Sequence, residues 1–210
     1  TAGSPADIDG DGDQDLLVAS YSDDTLLWVK NNTMFPKTKT PIWNEPVIVQ
    51  TDIDKVIYTE GADISADGVD DALAAGPNVL YYVSNRDGTF AEAQELTSDG
   101  VGYGMTLARD VDGDNDLDVI ASSSEKGIVV IKNNGDGTFS EEDLITSFGG
   151  ITRISTADMD GDGDLDLVSG SYSGKRLAWH ENQGDGTFAP EVVFNDDVDG
   201  MYSVATADLN

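Results

Sequence analysis

The chain has no cysteine, one histidine and few basic side chains among its 210 residues. The missing cysteine excludes disulfides and thiolate chemistry. Only 11 Lys and Arg face 41 Asp and Glu, which gives a formal net charge of -30 and argues against binding to nucleic acids or anionic membrane surfaces. No apolar run approaches the ~20 residues that span a bilayer. No signal peptide is visible and the first residue is Thr1 rather than Met, so we expect a processed chain or a piece of a longer one.

The chain is rich in aspartate, which recurs in a nine-residue pattern that we call an aspartate loop, with positions 1 to 9. Loop 1 covers residues 7–15, loop 2 covers 63–71, loop 3 covers 110–118 and loop 4 covers 158–166, and a fifth loop begins at Asp208. Successive loops start 56, 47, 48 and 50 residues apart. A period near 50 residues is typical of propellers and repeat arrays.

The segments between the loops repeat as well. An Asn-rich turn that ends in Gly-Thr-Phe, or the related Asp-Gly-Thr-Phe turn, occurs at residues 85–90, 133–139 and 182–188, whereas the first repeat has a longer segment at 31–46. Short apolar runs separated by Asp-Gly and Asn-Gly turns indicate antiparallel hairpins. Four such runs occur in each repeat, and in the last complete repeat they predict strands at 152–157, 165–171, 177–180 and 190–194. This pattern predicts an all-β fold, a β-propeller segment of about four blades, each a four-stranded antiparallel sheet.

We predict a single propeller segment over residues 1–210. Terminal repeats of a stable array are normally modified to cap the core. The last residues, 205–210, instead read as the beginning of another aspartate loop. We therefore expect a segment of a longer propeller, and a self-contained ring of four blades is the alternative.

The aspartate loops predict calcium sites between strands. Five like charges within nine residues repel one another unless a cation lies among them. Calcium takes six to eight oxygen ligands, which positions 1, 3, 5 and 9 supply as side chains and position 7 as a backbone carbonyl, while position 6 makes the sharp turn. The predicted ligands of the three complete loops are Asp7, Asp9, Asp11, Asp13 and Asp15; Asp110, Asp112, Asp114, Asp116 and Asp118; and Asp158, Asp160, Asp162, Asp164 and Asp166.

Loop 2 is a degenerate copy. A serine replaces the carboxylate at position 3, and a valine stands at position 7, where only a carbonyl is needed. Its predicted ligands are Asp63, Ser65, Asp67, Val69 and Asp71. We therefore predict Ca²⁺ at three strong sites and one weaker site. Magnesium is disfavoured because it demands near-octahedral geometry and keeps its waters.

The pattern Asp-x-Asp-x-Asp-Gly-x-x-Asp followed by a Leu or Val strand, as at residues 157–168, resembles the FG-GAP and VCBS repeats. Residues 177–188 also match these repeats, and Ala75-Gly76-Pro77 lies where the family has its GAP motif. The resemblance implies a calcium-bearing β-propeller, as in integrin α-subunit heads, certain fungal lectins and secreted microbial and algal proteins. Members commonly carry seven repeats, against about four here. The family includes adhesion heads, lectins, polysaccharide lyases and non-catalytic modules, so the resemblance does not single out a function.

Three residues outside the loops are candidates for a functional role. His180 is the only histidine and aligns with Val29 and Ile131 of other repeats, which favours a packing role over catalysis, and no nucleophile motif accompanies it. We therefore predict no catalytic residue. Trp43, in the atypical segment of the first repeat, is the best candidate for an aromatic partner contact. Asn31 begins an Asn-Asn-Thr glycosylation motif.

These patterns predict an extracellular, calcium-stabilised module for adhesion, recognition or assembly, with a protein or carbohydrate partner. Millimolar calcium outside cells would keep low-affinity loops filled. One alternative is a polysaccharide-lyase propeller, although a net charge of -30 disfavours the capture of an acidic polysaccharide. The other alternative is a purely architectural repeat in a larger extracellular assembly.

Overall fold

The computed structural model describes residues 2–32, 42–140 and 142–207, and these residues form sixteen β-strands and no helix. Sheet 1 contains β1 Ala2–Ala6, β2 Asp15–Ser20, β3 Thr25–Val29 and β4 Val47–Gln50; sheet 2 contains β5 Tyr58–Ala62, β6 Asp71–Ala75, β7 Val79–Tyr82 and β8 Gln94–Glu95. Sheet 3 contains β9 Met105–Arg109, β10 Asp118–Ser123, β11 Gly127–Ile131 and β12 Asp143–Thr146; sheet 4 contains β13 Ile151–Ala157, β14 Asp166–Ser171, β15 Leu177–His180 and β16 Val192–Asn195. Within each sheet, every strand pairs antiparallel with the next strand in sequence. The predicted all-β fold of four-stranded antiparallel blades is confirmed.

The chain divides into two compact units, Thr1–Gly100 with sheets 1 and 2 and Val101–Asn210 with sheets 3 and 4. In the first unit, Gly61 of β5 lies so close to the methyl group of Ala6 on β1 that a side chain would not fit. In the second unit, the guanidinium of Arg109 on β9 donates a hydrogen bond to the hydroxyl of Thr156 on β13. Consecutive sheets within each unit therefore contact one another through their first strands. The single segment over residues 1–210 stays a prediction.

The core comes from the first three strands of each sheet. Leu17 and Leu26 are fully buried in the first unit, as are Ile120 and Ile128 in the second, and burial of such a side chain stabilises the fold by roughly 1.5–3 kcal/mol. The fourth strands are mostly exposed. The strand that leaves each aspartate loop is thus well buried, which gives the loop a rigid support.

The recurring Asp-Gly-Thr-Phe turn has a local explanation. The aspartate carboxylate accepts hydrogen bonds from the backbone N–H and the hydroxyl of the threonine two residues later, at 3.0 and 2.6 Å in each of the three copies. The glycine between them has a positive φ, which glycine adopts without strain. The phenylalanine then pairs with the residue that begins the turn, at Ser84↔Phe90, Asn133↔Phe139 and Asn182↔Phe188. The turn therefore fixes Ser84, Asn133 and Asn182, which lie beside the aspartate loops.

Some predicted features fall outside the described residues, namely the start of a fifth loop at Asp208 and most of the 31–46 segment. Trp43 is described: it bridges to Asn31, and 49% of its surface is exposed. A partner contact at Trp43, the covering of a propeller edge by Trp43 and glycosylation at Asn31 all stay open hypotheses.

Candidate metal centre

The carboxylate at position 1 organises each aspartate loop by accepting hydrogen bonds from backbone N–H groups later in the same loop. In loop 1, Asp7 accepts from Asp11 at 3.1 Å and from Gly12 at 3.0 Å. In loop 2, Asp63 accepts from the equivalent positions, both at 2.9 Å. Asp110 and Asp158 make similar bonds in loops 3 and 4. The chain thereby curls around its first carboxylate without any other element.

Position 6 makes the sharp turn in all four loops. The φ angles are 86° at Gly12, 88° at Gly68, 75° at Asn115 and 101° at Gly163. Glycine adopts this left-handed conformation freely, and asparagine tolerates it better than most residues. The structure thus confirms the turn expected from the sequence, including the one at Asn115.

The carboxylate at position 9 is buried in every loop and joins the loop to the end of the third strand of its own sheet. Asp15, Asp71, Asp118 and Asp166 are at most 2% exposed and accept the backbone N–H of residues 31, 84, 133 and 182, at 2.8 to 2.9 Å. Burial raises the pKa of Asp118 to about 6, and burial also raises the pKa of Asp15 and Asp71. A cation beside these poorly solvated carboxylates would favour their charged form.

The structure brings predicted ligands together in loops 1, 3 and 4. In each of these loops three carboxylates offer oxygens within 4.8 Å of one another: Asp7, Asp9 and Asp11; Asp110, Asp112 and Asp118; Asp158, Asp160 and Asp166. The Oδ1 atoms of Asp9 and Asp112 are buried and have no hydrogen-bond partner among the described residues. A buried carboxylate oxygen without a partner is costly, and a hard cation that prefers oxygen ligands, such as calcium, fits this donor set.

Loop 2 brings its carboxylates together less well. Among the described residues, no group of three carboxylates within 4.8 Å includes Asp63, Asp67 and Asp71. The backbone N–H of Ser65 donates to Asp71 at 2.9 Å, and the Arg86 guanidinium lies 3.3 Å from an Asp67 carboxylate oxygen. The predicted weaker site, with Ser65 and the Val69 carbonyl among its ligands, stays a prediction.

The side chains at position 7 lie near the Asn-Gly turns. The carboxylates of Asp116 and Asp164 lie so close to Gly135 and Gly184 that a side chain at either glycine would displace the carboxylate. Asp13, at the same position of loop 1, is 7% exposed. A ligand role for their backbone carbonyls stays a prediction.

Sequence reasoning missed the side chains that join consecutive sheets at the loops. The Asn182 amide donates to the Val111 carbonyl of loop 3 at 2.8 Å and to the Leu165 carbonyl of loop 4 at 3.2 Å. In the first unit, the Ser84 hydroxyl donates to the Ile8 carbonyl of loop 1 at 2.6 Å. A signal was available, because a small polar residue follows position 9 of each loop at a similar offset, 16 residues for Asn31, 13 for Ser84, 15 for Asn133 and 16 for Asn182.

Asp70 is a second missed residue and lies between loops 1 and 2. Its carboxylate accepts the Asp7 N–H at 2.8 Å, and its own N–H donates to the Asp7 carbonyl at 3.0 Å. Burial and the nearby charges of Asp7 and Asp63 raise the pKa of Asp70. No sequence signal marked this residue, because position 8 is Gln or Leu in the other loops.

His180 occupies the packing position expected from the repeat alignment. It pairs with Leu167, as Val29 pairs with Leu16 and Ile131 pairs with Val119. The imidazole is fully buried, and its Nε2 lies 2.9 Å from the Ser169 hydroxyl. Burial lowers the pKa of His180 to about 4, so the ring is neutral at physiological pH.

Comparisons with known proteins agree with this geometry. Residues 110–169 and 158–210 match the model of the FG-GAP-like repeat, which confirms the resemblance over residues 110–210, and a search of curated proteins finds no match. An Agrocybe aegerita lectin, whose structure concerns specific recognition of non-reducing terminal N-acetylglucosamine, is similar with a TM-score of 0.66 and 22% identity over 93% of this chain and 52% of the lectin. The V. cholerae biofilm matrix protein Bap1 is similar with a TM-score of 0.55 and 19% identity over 91% of this chain and 28% of Bap1. The chain thus spans about half of the lectin and about a quarter of Bap1. At these sequence identities the similarity shows the fold alone.

Among the described residues no helix has the length and hydropathy to cross a membrane.

Proposed function

We propose that this chain, which carries FG-GAP-like repeats over residues 110–210, is an extracellular, calcium-stabilised β-propeller module that recognises a carbohydrate or protein partner. The observation that carries the calcium part is the buried, unpartnered Oδ1 of Asp9, next to the carboxylates of Asp7 and Asp11. Loops 3 and 4 offer comparable carboxylate groups. Millimolar extracellular calcium suits loops of this kind.

Calcium would have a structural role in this proposal. The Asp118 carboxylate is bonded to the backbone of Val111 at the start of loop 3 and to that of Asn133 beyond the third strand. A cation held by the same carboxylate would therefore stabilise the connection between these strands. Any ion that binds the folded chain alone raises its stability, by about 2.7 kcal/mol at a hundredfold excess over Kd.

The recognition part draws support from the two similar structures, a lectin and a biofilm matrix protein. Of these, the lectin is similar over more of its own length, which makes carbohydrate the first partner to test. The buried His180 gives no support to the polysaccharide-lyase alternative, because a fully buried imidazole does not reach a polymer at the surface.

A glycan array tests the proposal, with the chain applied in calcium and again in EDTA. The array should include glycans that end in N-acetylglucosamine and uronate polymers. Calcium-dependent retention on a defined set of glycans is the expected result. Release of unsaturated products from the uronate polymers would instead identify a lyase, and absence of both responses would favour the architectural alternative.

A further inference from the structure

The third strands of the four sheets each end beside an aspartate loop. The strand register pairs Leu17 with Trp28, Leu73 with Tyr81, Ile120 with Val130 and Val168 with Trp179. Two residues beyond these partners, the four repeats carry Lys30, Val83, Lys132 and Glu181. We call this the bridging position. The backbone N–H of the next residue is bonded to the position 9 carboxylate in every loop, so the bridging residue is always held beside the loop.

In loops 1 and 3 the bridging position holds an ammonium group against the predicted metal ligands. The Lys30 Nζ contacts the Asp9 carboxylate and lies 3.1 Å from an Asp11 oxygen. Asp9 is a deeply placed partner, since only 7% of its side chain is exposed. The Lys132 Nζ lies 3.3 Å from an Asp112 oxygen and donates to the Asp185 carbonyl at 2.6 Å. Each lysine is itself about a quarter exposed, so it can swing towards solvent.

The other two loops differ in the charge at this position. Val83 brings no charge to loop 2, where Arg86 contacts Asp67 from the following turn instead. Glu181 brings a further carboxylate to loop 4. Positions 1 to 9 and the bridging position of loop 4 together contain six carboxylates. The same positions of loops 1 and 3 each contain five carboxylates and one ammonium group.

We propose that the residue at the bridging position sets the calcium affinity of each loop. Lys30 and Lys132 act as internal counter-ions that hold loops 1 and 3 together and compete with the metal for Asp9 and Asp112. Glu181 makes loop 4 the highest-affinity site of the chain. This inference rests on the proposed calcium binding and predicts a graded response, in which loop 4 fills at lower calcium than loops 1 and 3.

Terbium luminescence separates loops 1 and 4, because each has a tryptophan at the same place beside it. The Trp28 indole N–H donates to Asp15 of loop 1 at 2.9 Å, and Trp179 is the register equivalent beside loop 4. Trp28 is therefore the reporter in a Trp43→Phe/Trp179→Phe chain, and Trp179 is the reporter in a Trp28→Phe/Trp43→Phe chain. Terbium titrations excited through tryptophan, with calcium as the competitor, then give the affinity of each loop.

We expect half-saturation of loop 4 at a terbium concentration at least about tenfold below that of loop 1, since Glu181 and Lys30 differ by two unit charges beside a multivalent ion. Lys30→Met and Lys30→Gln should each tighten loop 1 by about tenfold. Glu181→Lys should weaken loop 4 by at least about tenfold. Lys175→Met is the matched control, because Lys175 pairs with exposed Asp199 at 3.0 Å and its loss should move neither affinity.

Two outcomes would overturn different claims. Calcium-displaceable terbium binding with equal affinities that neither Lys30 variant nor Glu181→Lys alters would refute the bridging-position proposal and leave calcium binding intact. No calcium-displaceable signal from either reporter chain would refute calcium binding at these loops and the present inference with it. Far-ultraviolet circular dichroism in calcium confirms that each variant is folded before it is titrated.

Discussion

Replacement of Asp9 by Asn tests the calcium-dependent part of the stability directly. Only 7% of the Asp9 side chain is exposed. Its Oδ1 has no hydrogen-bond partner among the described residues. The Asn side chain has nearly the same shape but lacks the negative charge, and calcium affinity depends on the number of charged ligands. We therefore expect Asp9→Asn to remove most of the calcium affinity of loop 1.

The magnitude follows from linkage. For a Kd of about 10⁻⁴ M, within the range of extracellular calcium modules, 10 mM calcium is about a hundredfold excess and stabilises the folded chain by about 2.7 kcal/mol per loop. Loop 1 lies in a unit of 100 residues, Thr1–Gly100, for which 1 kcal/mol corresponds to a change of about 4 °C in Tm. Asp9→Asn should therefore lower Tm in calcium by on the order of 10 °C.

Differential scanning calorimetry in calcium and in EDTA measures this effect. In EDTA the free energy of unfolding of the variant should be within about 1 kcal/mol of that of the unsubstituted chain, which is the scale of a partly exposed ion pair with Lys30. Asp87→Asn is the control, because this exposed turn carboxylate bonds to Thr89 and should keep the full gain from calcium. The reasoning is wrong if calcium raises Tm equally in Asp9→Asn and the unsubstituted chain, or in neither.

Three further predictions concern the supports of the loops. Asn182→Ala should lower the free energy of unfolding by about 1–3 kcal/mol, because it leaves the Val111 and Leu165 carbonyls of loops 3 and 4 without their donor. Urea titrations at fixed calcium measure this loss, and an unchanged midpoint would contradict it. Gly88→Ala should lower Tm more than Gly137→Ala, since both glycines have φ near 85° but only Gly88 lies against the Trp28 ring; equal losses would show that backbone strain alone acts. Burial lowers the pKa of His180 from 6.5 to about 4, so His180 gains a proton in the unfolded chain before it does in the folded chain, and the contribution of His180 to stability should fall by about 3 kcal/mol as the pH drops from 6.5 to 4. His180→Val should flatten this part of the pH dependence, and a profile identical to that of the unsubstituted chain would refute it.

The fold was predictable because its signals are local and repeated. The four strands of sheet 4 were expected from apolar runs and Asp-Gly turns, and β15 Leu177–His180 has the predicted bounds. The other strand ends differ from the sequence estimate by a residue or two. For example, β13 begins at Ile151, one residue before the expected start. Strand ends depend on the partner strand, which the sequence of one segment does not contain.

The metal loops were predictable in their position but not in their surroundings. Spacing alone identified Asp7, Asp9 and Asp11 as neighbours, because they lie within one turn of chain. It did not identify Lys30, which contacts loop 1 from 19 residues after Asp11. Nor did it identify Asp70, which belongs to loop 2 and bonds to Asp7 of loop 1. Contacts of this kind are set by strand register and by the packing of one sheet on the next, which are properties of the folded chain.

The bonds from Ser84 to the Ile8 carbonyl and from Asn182 to the Val111 carbonyl join consecutive sheets in the same way in both units. In each unit the earlier repeat therefore supplies the carbonyl acceptor and the later repeat supplies the hydrogen-bond donor. Every repeat carries both parts, a backbone carbonyl at position 2 of its loop and a small polar residue after its third strand. Duplication of one whole repeat in a gene would reproduce both halves of this contact at the new junction. Such an array can lengthen by unequal recombination without new compensating substitutions at its loops, whereas gain or loss of part of a repeat would leave a donor or an acceptor unmatched.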